Sequence, residues 1–352
     1  MIQTTQPAPL PSETTQVSPE TAHHLAALLT HAAIAPLADT GWLRITGDDR
    51  VRWLNGMVTN SIQELTPGQG NYSFILSAQG RIQGDAFIFV EPDATDADAS
   101  GALLLETSAA QLPVLSTLLD RFIIMDDVEL ADISAARAGL LIAGPEAAAL
   151  LESLGLPCGD LAPLRLKTAQ WKSNEVNILQ AHSPLGPRFE LWADPGTIAE
   201  LTEALQQAGA IRVTSPALEA LRILEGTPRY NTDIRDRELP QETAQHRALH
   251  FSKGCYLGQE IVERIRSRGQ VHRTFTGFRL EGAIPPAGTL LEVDGKQIGE
   301  LTSVAVIPLP TGPIQLALGY VRREALERNL VLTYPGGTAA PVSTPFTVTA
   351  AG

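Results

Sequence analysis

Residues 253–273 read KGCYLGQEIVERIRSRGQVHR, and how this stretch is read decides the organisation of the whole chain. One of only two cysteines, Cys255, stands between Gly254 and Gly258 with Lys253, Tyr256, Gln259 and Glu260 around it. From Gly258 the pattern predicts a helix, with Glu260 in its first turn, Arg264, Arg266 and Arg268 toward its end and Gly269 as the stop. Cys255 then precedes a helix N-terminus, where free N–H groups, the helix dipole and Lys253 favour thiolate over thiol. Gly254 and Gly258 allow close backbone approach or a positive φ. Chemistry alone leaves two readings open: a reactive thiol, or a small core residue in a turn shaped by glycines.

Other chemistries find less support in the residues. No CxxC occurs, Cys158 lies in LGLPCGD, and His246, His250 and His272 lack zinc-finger spacing to Cys255, so no metal site is expected. A Cys–His nucleophile pair with one of those histidines stays conceivable. No GxGxxG or Walker pattern accompanies the glycines of TGDD and AQGRIQGD. Residues 253–273 carry five Lys or Arg against two Glu, a local charge of +3, which leaves −16 for the rest of a chain at −13. That contrast suits an anionic ligand tail or an acidic partner, or simply a solvated helix face with a Glu260–Arg264 pair.

Outward from this stretch, 352 residues with 44% hydrophobic content imply two or three globular domains. The acidic balance, 39 Asp and Glu against 26 Lys and Arg, argues against nucleic acid and anionic membranes as partners. Residues 1–20 read as a disordered lead-in and not a signal peptide, and no apolar run suits a membrane span. Two cysteines and no export signal point to free thiols in the cytoplasm.

WLRIT (42–46) alternates like a strand, and GDDRVRWLNGMVTN continues as a short helical stretch. YSFILS and DAFIFV, joined by AQGRIQG, read as a hairpin. ALLLETSAAQLPVLSTLLDRF (102–122) and RFELWADPGTIAELTEALQQAG (188–209) each run from a short apolar strand through a polar cap into an amphipathic helix, which suggests two related α+β halves. Between them, GLLIAG and EVNIL read as strands and PEAAALLESLG as a helix, an order that favours antiparallel or mixed sheets. SPALEALRILEG (215–226) is a helix with Ser215 as its cap and Gly226 as its end. The polar segment TPRYNTDIRDRELPQETAQHRALHFS has a length usually kept for function or disorder. From His272, RTFTGFRL, GTLLEV, KQIGELTSVAVI, IQLALGYV, LVLTY and FTVTA predict a C-terminal β-barrel.

The 253–273 stretch resembles the signature K-G-C-[FY]-x-G-Q-E of the YgfZ family, folate-binding proteins implicated in iron–sulfur cluster assembly or repair and related to the glycine-cleavage T-protein. The likeness extends through LRITGDDRVRWLNGMVTNSIQEL, FILSAQGRIQGDAFIF, RILEGTPRYNTDIRDRELPQE and GKQIGELTSVAVIPLPTGPIQLALGYVRRE, roughly residues 25–350. It implies an α+β fold of two ferredoxin-like halves (21–130 and 131–271, the second holding the signature 253–269) plus a β-barrel (272–352), ringed around a folate. By the same resemblance Asp85 stands at the acid beside the reactive folate nitrogen, where the preceding acid is Gly84, and Asn60 and Tyr72 line the pocket. Where the T-protein has R-x-E-A-G this chain has Arg222, Ile223, Leu224, Glu225 and Gly226, so its glutamate is one position late.

A folate site needs an acid or amide for the donor-rich pterin edge, an aromatic slot and basic residues for the glutamate tail. Asp85, Asn60, Tyr72, Glu225, Arg222, Arg229 and Arg264 supply these types. The expectation is a cytoplasmic, tetrahydrofolate-binding protein that helps assemble, repair or maintain iron–sulfur enzymes, with those enzymes or their assembly proteins as partners and Cys255 and Asp85 as chemical centres. The alternatives are a folate-dependent, aminomethyltransferase-like one-carbon transferase and a non-catalytic folate-sensing scaffold.

Overall fold

Buried residues follow one another without a break in the central strands of two sheets, as in Leu103–Ser108, Ala138–Ala143 and Arg188–Ala193, and since successive side chains point to opposite faces, each sheet buries both. A computed structural model describes residues 18–92, 101–269 and 271–347, without the Arg268 side chain. The first half runs strand Thr40–Thr46, helix Arg50–Asn55, strands Gly70–Leu76, Ile82–Val90 and Leu103–Ser108, helix Leu112–Asp120 and strand Glu129–Asp132. The second repeats that order: strand Ala138–Ala143, helix Ala147–Ser153, strands Arg165–Trp171, Asn174–Gln180 and Arg188–Ala193, helix Pro195–Gln207 and strand Ile211–Arg212. Their sheet orders match as well, with the second, third, fourth, first and last strands of each half following one another across the sheet. The strand–cap–helix repeat is thus one corner of a larger duplication.

One departure breaks the symmetry. Strand Ala33–Pro36, which follows helix Pro19–Thr30, inserts between the first and last strands of the second sheet, antiparallel to one and parallel to the other. The N-terminal segment therefore packs with the second half, although it precedes the first. The expected lead-in lies outside the described residues up to position 17; Ser18 caps helix Pro19–Thr30 by accepting from the Thr21 N–H at 3.1 Å. Among the described residues, no helix is long and apolar enough to cross a membrane.

Each sheet packs its helices on one face, through Leu43, Ile45, Ile88, Leu103 and Leu105 in the first and Leu140, Ile142, Ile178 and Leu191 in the second. The other faces meet across Trp42, Phe89, Leu104, Leu166, Leu179 and Trp192, with Trp192 edge-on to Trp42 and Phe89 at 6.0 and 5.5 Å. The six strands Arg273–Gly282, Leu290–Val293, Lys296–Leu309, Gly312–Arg322, Leu332–Tyr334 and Gly337–Val342 close a barrel. GTAAPV supplies its last described strand; of the expected strand FTVTA, Phe346 and Thr347 lie outside any strand and the rest lies outside the described residues. Helix Ser215–Glu225 has its N-cap at Thr214, one residue before the expected Ser215, and ends in a left-handed Gly226 with φ +69°.

The segment 227–252 carries only two 3₁₀ turns, Pro240–Thr243 and His246–Ala248, yet buried charge holds it in place. Asp233 is fully buried and accepts from Arg222 Nη1 (2.7 Å), the Arg229 N–H (2.9 Å), Thr302 Oγ1 (2.5 Å) and Ser303 Oγ (2.7 Å). Arg222→Ala removes the cation from this anion and is expected to lower stability by about 3–5 kcal/mol, read as a lower urea midpoint with the slope unchanged.

Candidate functional site

Asp85 lies on the face of strand Ile82–Val90 that looks toward the second sheet, in line with Phe87 and Phe89. Its carboxylate accepts from the Tyr72 hydroxyl at 2.6 Å and from Gln111 Nε2 at 2.9 Å, while Gln111 Oε1 takes the Asp85 N–H at 3.2 Å. Burial outweighs these bonds and raises the Asp85 pKa; burial, then the neighbouring carboxylate, pushes Tyr72 well up. Position 84 is glycine for a steric reason. A Cβ there would stand 2.5 Å from Leu115 and 3.0 Å from Gln111, inside the helix that orients Asp85.

Asn60 builds the next layer through its backbone contacts. Its amide donates to Tyr72 O (3.1 Å) and Arg247 O (2.9 Å), which lays segment 246–250 along strand Gly70–Leu76. Thr59 completes the zipper, donating to Ala248 O at 2.6 Å and accepting from the His250 N–H at 3.1 Å. Arg247 consequently stacks over Tyr72, its guanidinium carbon 4.7 Å from that ring and 5.7 Å from Phe87. Glu225, buried, accepts from Ser183 at 2.5 Å and has its pKa raised by burial, against the pull of Arg188 and Arg247.

Two acids that sequence reasoning missed close the far side. Glu106 and Glu190 occupy corresponding strands of the two halves, and both are buried. Desolvation, then repulsion from Glu190, pushes the Glu106 pKa well up. Glu190 is further held by Arg188 Nη2 at 3.2 Å. The available signal was an isolated acid in each of two apolar strands, LLLETS and RFELWA, at the same point of the repeat.

The signature residues divide into anchors and exposed groups. Lys253 is buried and donates to Asn55 O (2.7 Å), Val58 O (2.7 Å) and Asn60 O (2.6 Å); burial pulls its pKa down to about 7. Its ammonium is committed to those carbonyls, which corrects the expectation that it serves the thiol. Tyr256 is buried, with its pKa pushed up to about 12 by burial. Gly258 takes φ +81° before helix Gln259–Arg268, and a Cβ there would lie 2.5 Å from Ser77 O, so the loop docks on the hairpin that carries Asp85. Gly254, Cys255 and Glu260 are exposed and Gln259 is half-buried. Cys255 is therefore not a core residue; Cys158 is, and burial raises its pKa to about 11.

The structure brings together Asn60, Tyr72, Asp85 and Glu225, and it withholds the expected tail-binding arginines. Arg222 serves Asp233 and Glu219, Arg229 pairs with Glu219 at 2.5 Å, and Arg264 pairs with Glu260 at 2.6 Å on the surface. The last is the solvated helix pair that spacing also allowed. Among the described residues, no group of three His, Cys, Asp or Glu could hold a metal ion.

Two duplicated α+β sheets, facing each other over buried acids and followed by a closed barrel, define a fold that known proteins share. The chain matches the GCVT N-terminal domain over residues 5–253 and belongs to that family. It is 27% identical over 298 residues to a putative chloroplastic transferase of Arabidopsis thaliana, covering 83% of this chain and 66% of that protein. It is 26% identical over 294 residues to an aminomethyltransferase of Nostoc sp., covering 81% and 76%. The structure superimposes on glycine cleavage system aminomethyltransferase T from Bartonella henselae with a TM-score of 0.81 at 21% identity, over 93% and 89% of the two chains, which is a likeness of fold.

A raised carboxyl pKa subtracts stability as pH climbs above the ordinary carboxyl range, because the unfolded chain ionises first. Glu106→Gln removes this penalty and keeps a donor for Glu190. The variant is expected to gain stability over the parent at pH 8 and to match it near pH 4, as followed by urea unfolding at both values.

Proposed function

We propose that this chain binds a tetrahydrofolate between its two sheets, at Asp85, and handles a one-carbon unit there as the aminomethyltransferases of its family do. The observation that carries the reading is the set of buried acids held by neighbours yet short of donors: Asp85 at one end and the Glu106–Glu190 pair at the other. Two buried carboxyls that repel each other form a cradle for a ligand edge rich in N–H groups, since ligand donors would relieve that repulsion and reach Glu190 Oε2, which has no partner among the described residues. The aromatic faces of Tyr72, Phe74 and Phe87 supply an apolar slot beside it.

The residues fit the group in type and burial. Glu190 and Glu106 would hold the pterin's donor edge, and Asp85 would orient the reactive nitrogen and carry a proton at its carboxyl. Bound tetrahydrofolate supplies the nitrogens that accept or deliver the one-carbon unit. Tyr72 and Gln111 hold the Asp85 carboxyl in one orientation, and the facing sheets exclude water from it. Asp85→Asn and Glu190→Gln are each expected to weaken tetrahydrofolate at least tenfold in anaerobic calorimetric titration, with cooperative unfolding preserved. Wild-type affinity in both variants would refute the placement.

A second reading, maintenance of iron–sulfur enzymes in the manner of the YgfZ family, is favoured by one observation. Cys255 is exposed on a loop pinned by Lys253, Tyr256 and Gly258 to the hairpin of Asp85. It would offer a thiol to a partner while the pocket holds folate behind it. Cys255→Ala is then expected to keep tetrahydrofolate binding and lose the activity of iron–sulfur enzymes in cells; full activity in that variant leaves the transferase and the folate-sensing scaffold.

A further inference from the structure

The arginines of segment 222–273 are paired with carboxylates wherever they approach the buried core. Arg222 and Arg229 hold Glu219, Arg235 and Arg237 hold Glu238 and Glu300, and Arg273 holds Glu238 and Glu242. Arg247 differs. Among the described residues it has no carboxylate within ion-pair distance, its Nη1 is buried with no acceptor, and its one side-chain hydrogen bond is a long one, 3.3 Å from Nε to Gln245 Oε1.

A half-buried guanidinium without an anion is costly, so something must offset it. The surrounding acids attract it only from beyond ion-pair distance. Asp85 is taken by Tyr72 and Gln111, and Glu225 by Ser183. His182, which feels both Arg247 and Arg188, is held neutral by burial, its pKa pulled down to about 4. Meanwhile the guanidinium is held in place: its carbon lies over Tyr72 and Phe87, and its backbone carbonyl is tied to Asn60, which Lys253 ties in turn. A planar fork, pre-oriented and unpaired beside the reacting acid, matches a carboxylate better than any neutral oxygen.

We propose that Arg247 is the carboxylate anchor of the Asp85 site and decides which ligands that site accepts. The inference rests on the folate reading for what else the site holds. The carboxylate comes either from the folate's own benzoylglutamate or from an amino-acid one-carbon donor meeting it at Asp85.

Anaerobic calorimetric titration with three probes tests this: tetrahydrofolate, tetrahydrobiopterin, which carries a pterin but no carboxylate, and sarcosine. Arg247→Gln is expected to bind tetrahydrofolate at least tenfold more weakly with tetrahydrobiopterin unchanged, if the carboxylate is the folate's. If it is the donor's, the variant keeps tetrahydrofolate and loses saturable sarcosine binding. Arg247→Lys keeps the charge without the fork, and an intermediate loss is expected; it also serves should the glutamine variant melt at a lower temperature. Equal binding of tetrahydrofolate and sarcosine by parent and variants overturns the proposal, as does an equal loss for both pterins. A parent that binds neither pterin defeats the folate reading instead, and the anchor then stands or falls on whether sarcosine binding needs Arg247.

Discussion

The buried carboxylate of Asp233 holds three parts of the molecule to one point. Arg222 reaches it from the helix that ends the second half, Thr302 and Ser303 reach it from the barrel, and the Arg229 N–H reaches it from the irregular segment between them. A carboxylate with no solvent contact must have its lone pairs filled, so each donor is held as tightly as the ion itself. The segment after Gly226 has no ladder of its own, and it depends on this node and on buried Glu238, which ties Arg235, Arg237 and Arg273 and accepts from the Ile82 N–H through its carbonyl. Irregular backbone thereby becomes as well placed as a strand, and it delivers Arg247 and Lys253 to the edge of the first sheet.

Against that frame the site is a seam between copies of one motif. The duplicated halves turn equivalent strands toward each other, so a polar residue at one point of the repeat meets its counterpart. Glu106 and Glu190 are such a pair, and apposed carboxyls in an apolar interface cannot both ionise. Asp85 lies farther along the same face, beyond Phe87. The seam therefore favours a protonated Glu106 beside the Arg188–Glu190 ion pair, and Arg247 stands in it without a carboxylate partner among the described residues. That division suits a ligand with donors at one end and an anion at the other.

The signature KGCYLGQE is mainly an attachment device in this fold. Lys253 closes off three carbonyls around the end of helix Arg50–Asn55, Tyr256 fills the core, and Gly258 permits the turn that lets the next helix sit on the hairpin. Only Cys255 and its exposed neighbours face outward. Anchoring and presentation are separate tasks, and residue type alone does not divide them: lysine beside cysteine suggests activation until the carbonyls that capture its ammonium are seen.

Much of the fold was legible in local pattern. Alternation in WLRIT, the apolar runs YSFILS and DAFIFV either side of a glycine turn, strand–cap–helix order at 102–122 and 188–209, and glycine-punctuated strands after His272 follow from periods of two and 3.6 and from turn chemistry, which neighbours in sequence decide. Asp85, Asn60 and Tyr72 were singled out through the motif they share with a known family, and the fold places them side by side. Tertiary structure alone decided the rest. Ala33–Pro36 joins the second sheet, GTAAPV supplies the barrel's last described strand, Arg222, Arg229 and Arg264 are consumed by ion pairs, and Glu106, Glu190 and Arg247 come to stand near Asp85. The physical reason is common to all of these. Whether a charged side chain is free, paired or kept neutral depends on what stands across from it, and those partners lie tens to hundreds of residues away along the chain.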